Sequence, residues 1–146
     1  MSPDAPVHAT LVAHFHAGTW AGALLEGPSG VGKSDLAIRL LGRGWRLVAD
    51  DRVVLWASGA RLFGRSPDVL KGLIEFRGQG VREAPVLPLA EIVLVVSCRL
   101  TSEDLERVPP PATRTLCGVA RPLVAVAARE ASAPDRLTAA LRLNVV

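Results

Sequence analysis

The chain has 146 residues, 49% hydrophobic and 21% charged, with a formal net charge of +3. That length fits one domain, residues 1–146, with a proper core, and the composition is that of a soluble globular protein. The mild charge has no basic run, and a 4% aromatic fraction without tyrosine argues against a base-stacking surface, so nucleic acid is not expected as a partner. The two cysteines, Cys98 and Cys117, lack metal-site spacing and read as reduced, buried thiols. Met1–Pro6 lacks the basic-then-apolar pattern of a signal peptide. Ile92–Cys98 is apolar but too short to span a bilayer. A cytoplasmic location without a membrane partner is expected.

Val7–Phe15 reads as a strand, with His14–Trp20 as a hairpin loop and Gly18 as its turn residue. Ala21–Glu26 is a second strand, which runs into Gly27-Pro28-Ser29-Gly30-Val31-Gly32-Lys33-Ser34. This octet fits G-x-x-x-x-G-K-[ST], the phosphate-binding P-loop. Its glycines let backbone N–H groups turn inward as an anion nest. The amphipathic segment from Lys33 to about Leu41 is the helix that the motif requires, ended by Gly42 and Gly44. Only Lys33 and Lys71 are lysines among 17 basic residues. One of the two stands where a compact ammonium is needed.

Trp45–Ala49 is a short strand that ends in Asp50-Asp51. Beside a P-loop, such an acid serves the metal or the attacking nucleophile; a surface pair capping a turn is the bland alternative. Val53–Ala57 and Ala60–Phe63 form a hairpin around Ser58-Gly59. Gly72–Phe76 is a strand and Gly78-Gln79-Gly80 a loop. Alternation places Glu75 and Arg77 on one face, a solvated edge pair being an equal alternative. Ile92–Cys98 is a fully buried strand. Thr101–Arg107 is polar, with a short helical turn, and Pro109-Pro110-Pro111 excludes a helix. Leu123–Ala131 is alanine-rich and predicted helical. Pro134 suits the first turn of a helix over Asp135–Leu143.

The P-loop, Ala49-Asp50-Asp51 and Glu75-Phe76-Arg77-Gly78-Gln79-Gly80 together resemble the HPr kinase/phosphorylase family of bacteria. The opening Val7-His8-Ala9-Thr10 is similar to that family's valine–histidine segment. The resemblance covers about residues 7–130. It implies an α/β P-loop kinase domain of HPr kinase type, a mixed sheet with hairpins around the P-loop strand and C-terminal helices. It also implies the short form found in many alphaproteobacteria, a catalytic domain without an N-terminal regulatory domain.

The implied reaction is ATP-dependent phosphorylation of a serine on an HPr-type phosphocarrier, which regulates a phosphotransferase system. The resemblance also allows removal of that phosphate by phosphorolysis, with pyrophosphate as the product. ATP is bound by Gly27, Pro28, Ser29, Gly30, Val31, Gly32, Lys33 and Ser34. Ser34 and Glu75 hold Mg²⁺. Asp51 is the catalytic acid/base, with Asp50 beside it, His8 the catalytic histidine and Arg107 a catalytic arginine. His14 and His16 compete with His8 for that place. Gly118-Val119-Ala120-Arg121 falls where the family has a loop used in dephosphorylation. A homo-oligomer, a hexamer in the family, is implied. The alternative functions are a P-loop kinase for a small metabolite and an ATP-binding regulatory module without chemistry.

Overall fold

The computed structural model describes residues 6–68, 73–76, 78, 80–83, 85–103 and 105–145, with the backbone alone for 73–76 and 82. Strands β1 (Val7–His8), β2 (Thr10–His16) and β3 (Thr19–Glu26) lead into helix α1 (Lys33–Leu41). Then come β4 (Trp45–Ala49), β5 (Arg52–Ser58), β6 (Arg61–Arg65), β7 (Leu73–Phe76), β8 (Gly80–Glu83) and β9 (Ala90–Arg99). β10 (Ala112–Leu116), β11 (Val119–Ala127) and helix α2 (Ala133–Asn144) complete the chain.

Nine strands form one sheet in the order β1-β5-β6-β9-β3-β2-β4, with β11 also on β9 and β10 on β11. β3, β9 and β11 are parallel neighbours, while β2 is antiparallel to both β3 and β4. β3 and β4 therefore run the same way and end on the same edge. β7 and β8 pair only with each other in a separate two-stranded sheet. The mixed α/β class read from the sequence is the one observed.

Alternation along the strands feeds two apolar layers. Val12, Leu25, Leu47, Val96 and Val126 meet Leu36 and Leu40 of α1 and Leu137 and Leu141 of α2. Leu11, Leu24, Val48, Val95 and Ile92 meet Val53, Leu55 and Leu62 of the β5–β6 hairpin. Val93 is an extra residue on β9, because Gly22 pairs with Ile92 but Ala23 with Leu94. This bulge puts Ile92 and Leu94, two residues apart, into opposite layers.

Gly22 sits at that bulge. A Cβ there would lie 2.6 Å from the carbonyl oxygen of Glu91. Backbone cannot swing aside as a side chain can. Gly22→Ala is expected to destabilise the protein by about 1–3 kcal/mol, read as a lower denaturation midpoint. An unchanged midpoint would show that β3 and β9 separate freely.

Several expectations fail. The loop expected over His14–Trp20 is only a turn at Ala17 and Gly18, because His14, Phe15 and His16 pair with Ala21, Trp20 and Thr19. Leu123–Ala131 is not helical: residues 119–127 are β11, parallel to β9 with Val124 opposite Val96 and Val126 opposite Cys98. Alanine propensity lost to a slot beside a buried strand, where alternating valines pack well. The C-terminal helices thus reduce to one, α2, with Pro134 in its first turn as expected. β10 was not anticipated. It pairs with β11 through a turn at Cys117 and Gly118, both with positive φ (51° and 78°), the signature of a tight hairpin. Cys117 is consequently half-buried, while Cys98 is buried.

Candidate active site

The site lies at the carboxyl ends of the parallel strands, where α/β sheets bind ligands. β3 enters the P-loop there. Gly27, Gly30 and Gly32 adopt φ of 150°, 84° and 108°. At Gly27 a Cβ would also meet the Cys98 carbonyl oxygen and the Val31 side chain, each at 3.0 Å. Gly32 caps α1 without any side-chain hydrogen bond. The first N–H groups of α1 therefore face the loop with no capping side chain, which suits an anion.

Lys33 is buried with its ammonium folded onto the loop. It donates to the carbonyls of Gly27 at 2.5 Å and Pro28 at 3.2 Å. These contacts hold the charge against the backbone of the loop. Close by, burial pushes the thiol of Cys98 up to about 11, against the opposing pull of Lys33. Cys98 is buried in the core beside the P-loop.

Asp50 and Asp51 are adjacent in sequence but point to different partners. Asp51 takes a left-handed conformation at φ 70°, a region that aspartate tolerates better than most residues. Its backbone is pinned by Ala9 N–H donating to its carbonyl at 3.2 Å. Its carboxylate meets His8 Nδ1 at 3.1 Å, with the side chains 47% (His8) and 67% (Asp51) exposed. His8 Nε2 lies 3.4 Å from both Lys33 Nζ and Ser29 Oγ. Since the ammonium can only donate, the partners fit a His8 with its proton on Nδ1, given to Asp51. His8 thus bridges Asp51 to the P-loop lysine. His14, by contrast, packs on Trp45 with ring centroids 5.1 Å apart. Its pKa is lowered by burial and by Arg142 and His16. Of the three histidines, the structure brings His8 to the P-loop.

Asp50 turns the other way. Its Oδ1 accepts from Ser34 Oγ at 2.8 Å and from the buried Thr10 Oγ1 at 3.1 Å. Ser34 and Asp50 together offer hard oxygens at the end of the loop, the donor chemistry that Mg²⁺ takes. No group of three His, Cys, Asp or Glu side chains able to hold a metal occurs among the described residues. Such a partial set fits a dication that shares nucleotide phosphates and water. Glu75 stands on β7 opposite Val81; its side chain lies outside the described residues, as do Arg77, Gln79 and Lys71.

Arg107 is exposed in the β9–β10 connection, and the hydrogen bonds and ion pairs found among the described residues do not involve it. Arg121 donates to the carbonyls of Ile92 and Ala60. Ile92 is opposite Gly22, roughly 13 Å along the strand from Glu26. Gly118–Arg121 therefore belongs to a hairpin away from the P-loop.

Sequence reasoning missed three contributors. Thr10 has already been placed. Arg129, just after β11, donates to the Gly30 carbonyl, and its side chain lies 3.3 Å from where a Gly32 Cβ would be. Arg39 of α1 holds the segment carrying Arg129 by donating to the carbonyls of Ala128 and Glu130. Only Thr10 had a legible signal, its place two residues from His8 in the chain. Arg114 of β10 forms a two-pronged pair with Glu26 at 3.0 Å, tying the hairpin to the P-loop strand.

The chain is similar to known proteins in sequence and in fold. The HPr Serine kinase C-terminal domain model matches residues 1–87. HPr kinase/phosphorylase of Clostridium acetobutylicum is 39% identical over 87 residues, 60% of this chain and 27% of that protein. HPr kinase/phosphorylase of Limosilactobacillus reuteri is 38% identical over 116 residues, 72% of this chain and 36% of that protein. The chain thus spans between a quarter and two fifths of the length of these relatives. The structure of the Hpr(Ser) kinase/phosphatase from Coxiella burnetii superposes with a TM-score of 0.77 at 24% identity, covering 94% of each chain. It shares the fold. Among the described residues no helix is long and apolar enough to cross a membrane. By its matched family model, its P-loop and its fold, the chain belongs to the HPr serine kinase C-terminal domain family.

Proposed function

We propose that this chain transfers the γ-phosphoryl group of ATP to a serine hydroxyl of an HPr-type phosphocarrier, and so regulates a phosphotransferase system. The observation that carries the reading is the His8–Asp51 pair held beside Lys33. A serine hydroxyl is a weak nucleophile until a base takes its proton. Asp51 accepts that proton as the serine oxygen bonds to phosphorus and the bond to ADP breaks. His8 orients the carboxylate from one side. Lys33 leaves the carbonyls of Gly27 and Pro28 and bonds the phosphate oxygens, where charge develops. Ser34 and Asp50 would hold Mg²⁺, with Glu75 as a further candidate ligand, and the ion would supply neutralisation of the phosphate charge.

The same groups serve the reverse step. Phosphate attacks the phosphorus of phosphoserine, the serine O–P bond breaks, protonated Asp51 gives its proton to the serine oxygen, and pyrophosphate leaves. The exposed Asp51 carboxylate favours a macromolecular acceptor. A cleft of about 350 Å³ lined by Val48, Arg65, Pro67 and Leu87 includes none of the P-loop, His8 or Asp51 side chains. It gives no support to a small-metabolite kinase.

Incubation with ATP, Mg²⁺ and an HPr-type protein should yield one phosphoserine, located by mass mapping. Transfer to a small metabolite instead, or none at all, would refute the reading. The homo-oligomer, a contribution of Arg107 and a cytoplasmic location belong to this proposal as family properties.

A further inference from the structure

We infer that Thr10 is a positioning residue that fixes the carboxylate of Asp50 and thereby sets how tightly the divalent cation is held. The inference rests on the reading of Asp50 as a metal-side group. Thr10 and Lys33 are the buried polar side chains among the described residues. The burial of Lys33 follows from the P-loop. That of Thr10 does not, since no part of the motif calls for a hydroxyl on β2.

A hydroxyl shut away from water needs a partner. The partner here is Asp50 Oδ1 at 3.1 Å, the same oxygen that accepts from Ser34 at 2.8 Å. Both hydroxyls therefore commit one oxygen, and Asp50 Oδ2 is left without a protein partner among the described residues. Strand register makes the contact possible, because Leu11, next to Thr10, lies opposite Ala49, next to Asp50. Packing alone does not explain threonine, since valine has the same shape and suits a buried strand position at least as well. Its hydroxyl is the distinguishing group, and it orients a ligand before the ligand meets its metal.

The test uses Thr10→Val, Thr10→Ser and Asp50→Asn in the full chain. Mn²⁺ binding to the ADP complex is followed by electron paramagnetic resonance, beside the Mg²⁺ dependence of kcat and the unfolding midpoint. Thr10→Val is expected to weaken Mn²⁺ binding and raise the half-saturating Mg²⁺ by about 10-fold or more, with little change in unfolding. Thr10→Ser should restore both. Unchanged Mn²⁺ affinity in Thr10→Val, beside a loss in Asp50→Asn, would overturn the role of Thr10 and leave Asp50 on the metal side. A lower unfolding midpoint with unchanged Mn²⁺ affinity would make Thr10 merely structural and also overturn it. Unchanged affinity in Asp50→Asn would remove Asp50 from the metal, and Thr10 with it.

Discussion

Lys33→Ala is expected to fold and to transfer phosphate about 10²–10³-fold more slowly, the usual effect of losing one electrostatic contact made in the transition state. The ammonium is the one cation that hydrogen-bonds the inner carbonyls of the loop, those of Gly27 and Pro28, among the described residues. Arg129 instead donates to the carbonyl of Gly30. ATP affinity should fall as well, because in the proposed mechanism the lysine contacts phosphate before and during transfer. Folding should survive, since α1 is held by Leu36, Ala37 and Leu40 in the core. Lys33→Arg is expected to rescue little, because a planar guanidinium does not fit where a compact ammonium folds back. Steady-state transfer to the phosphocarrier, with nucleotide binding by calorimetry, checks the result. Near-normal transfer by Lys33→Ala would take the P-loop out of the mechanism.

Asp51→Asn should lose about 10²–10⁴ in rate while keeping its ATP affinity. The amide oxygen can still accept from His8 Nδ1, so the local arrangement persists and only proton acceptance is removed. Serine phosphorylation and phosphorolysis should fall together, because in the proposed mechanism one group serves both directions. Loss of one direction alone would rule out a single acid/base. Asp50→Asn should differ in kind. Its carboxylate meets Ser34 and Thr10 rather than the His8 side of the site, so its defect should appear in metal dependence. An inactive Asp50→Asn beside an active Asp51→Asn would exchange the two roles.

How legible each part was follows from how local it is. The P-loop, its strand and its helix were readable because one octapeptide carries the phosphate nest, the lysine and the hydroxyl. The helix over Lys33–Leu41 and the strand over Trp45–Ala49 appear at the expected boundaries. β11 was misread because its alanines favour a helix locally, whereas its place beside β9 is a long-range fact. The resemblance led to His8 and Asp51, but His14 and His16 lie nearer the P-loop in sequence.

By its own residues the chain determined the phosphate-binding loop, the α/β class and the paired acids, since each is written in neighbouring positions. The tertiary structure decided which partners they have. Pairing of β2 with β3 and β4, and of β1 with β5, brings His8 to Asp51 and Thr10 to Asp50 across 40 or more positions. A left-handed turn at Asp51 directs its side chain to His8 while that of Asp50 meets Ser34 and Thr10. Arg129 reaches Gly30 because β11 runs parallel to β9 and ends at the same edge as β3. Such contacts depend on strand register and backbone direction, which hydrophobic burial sets for the whole sheet at once. No local run of residues encodes them.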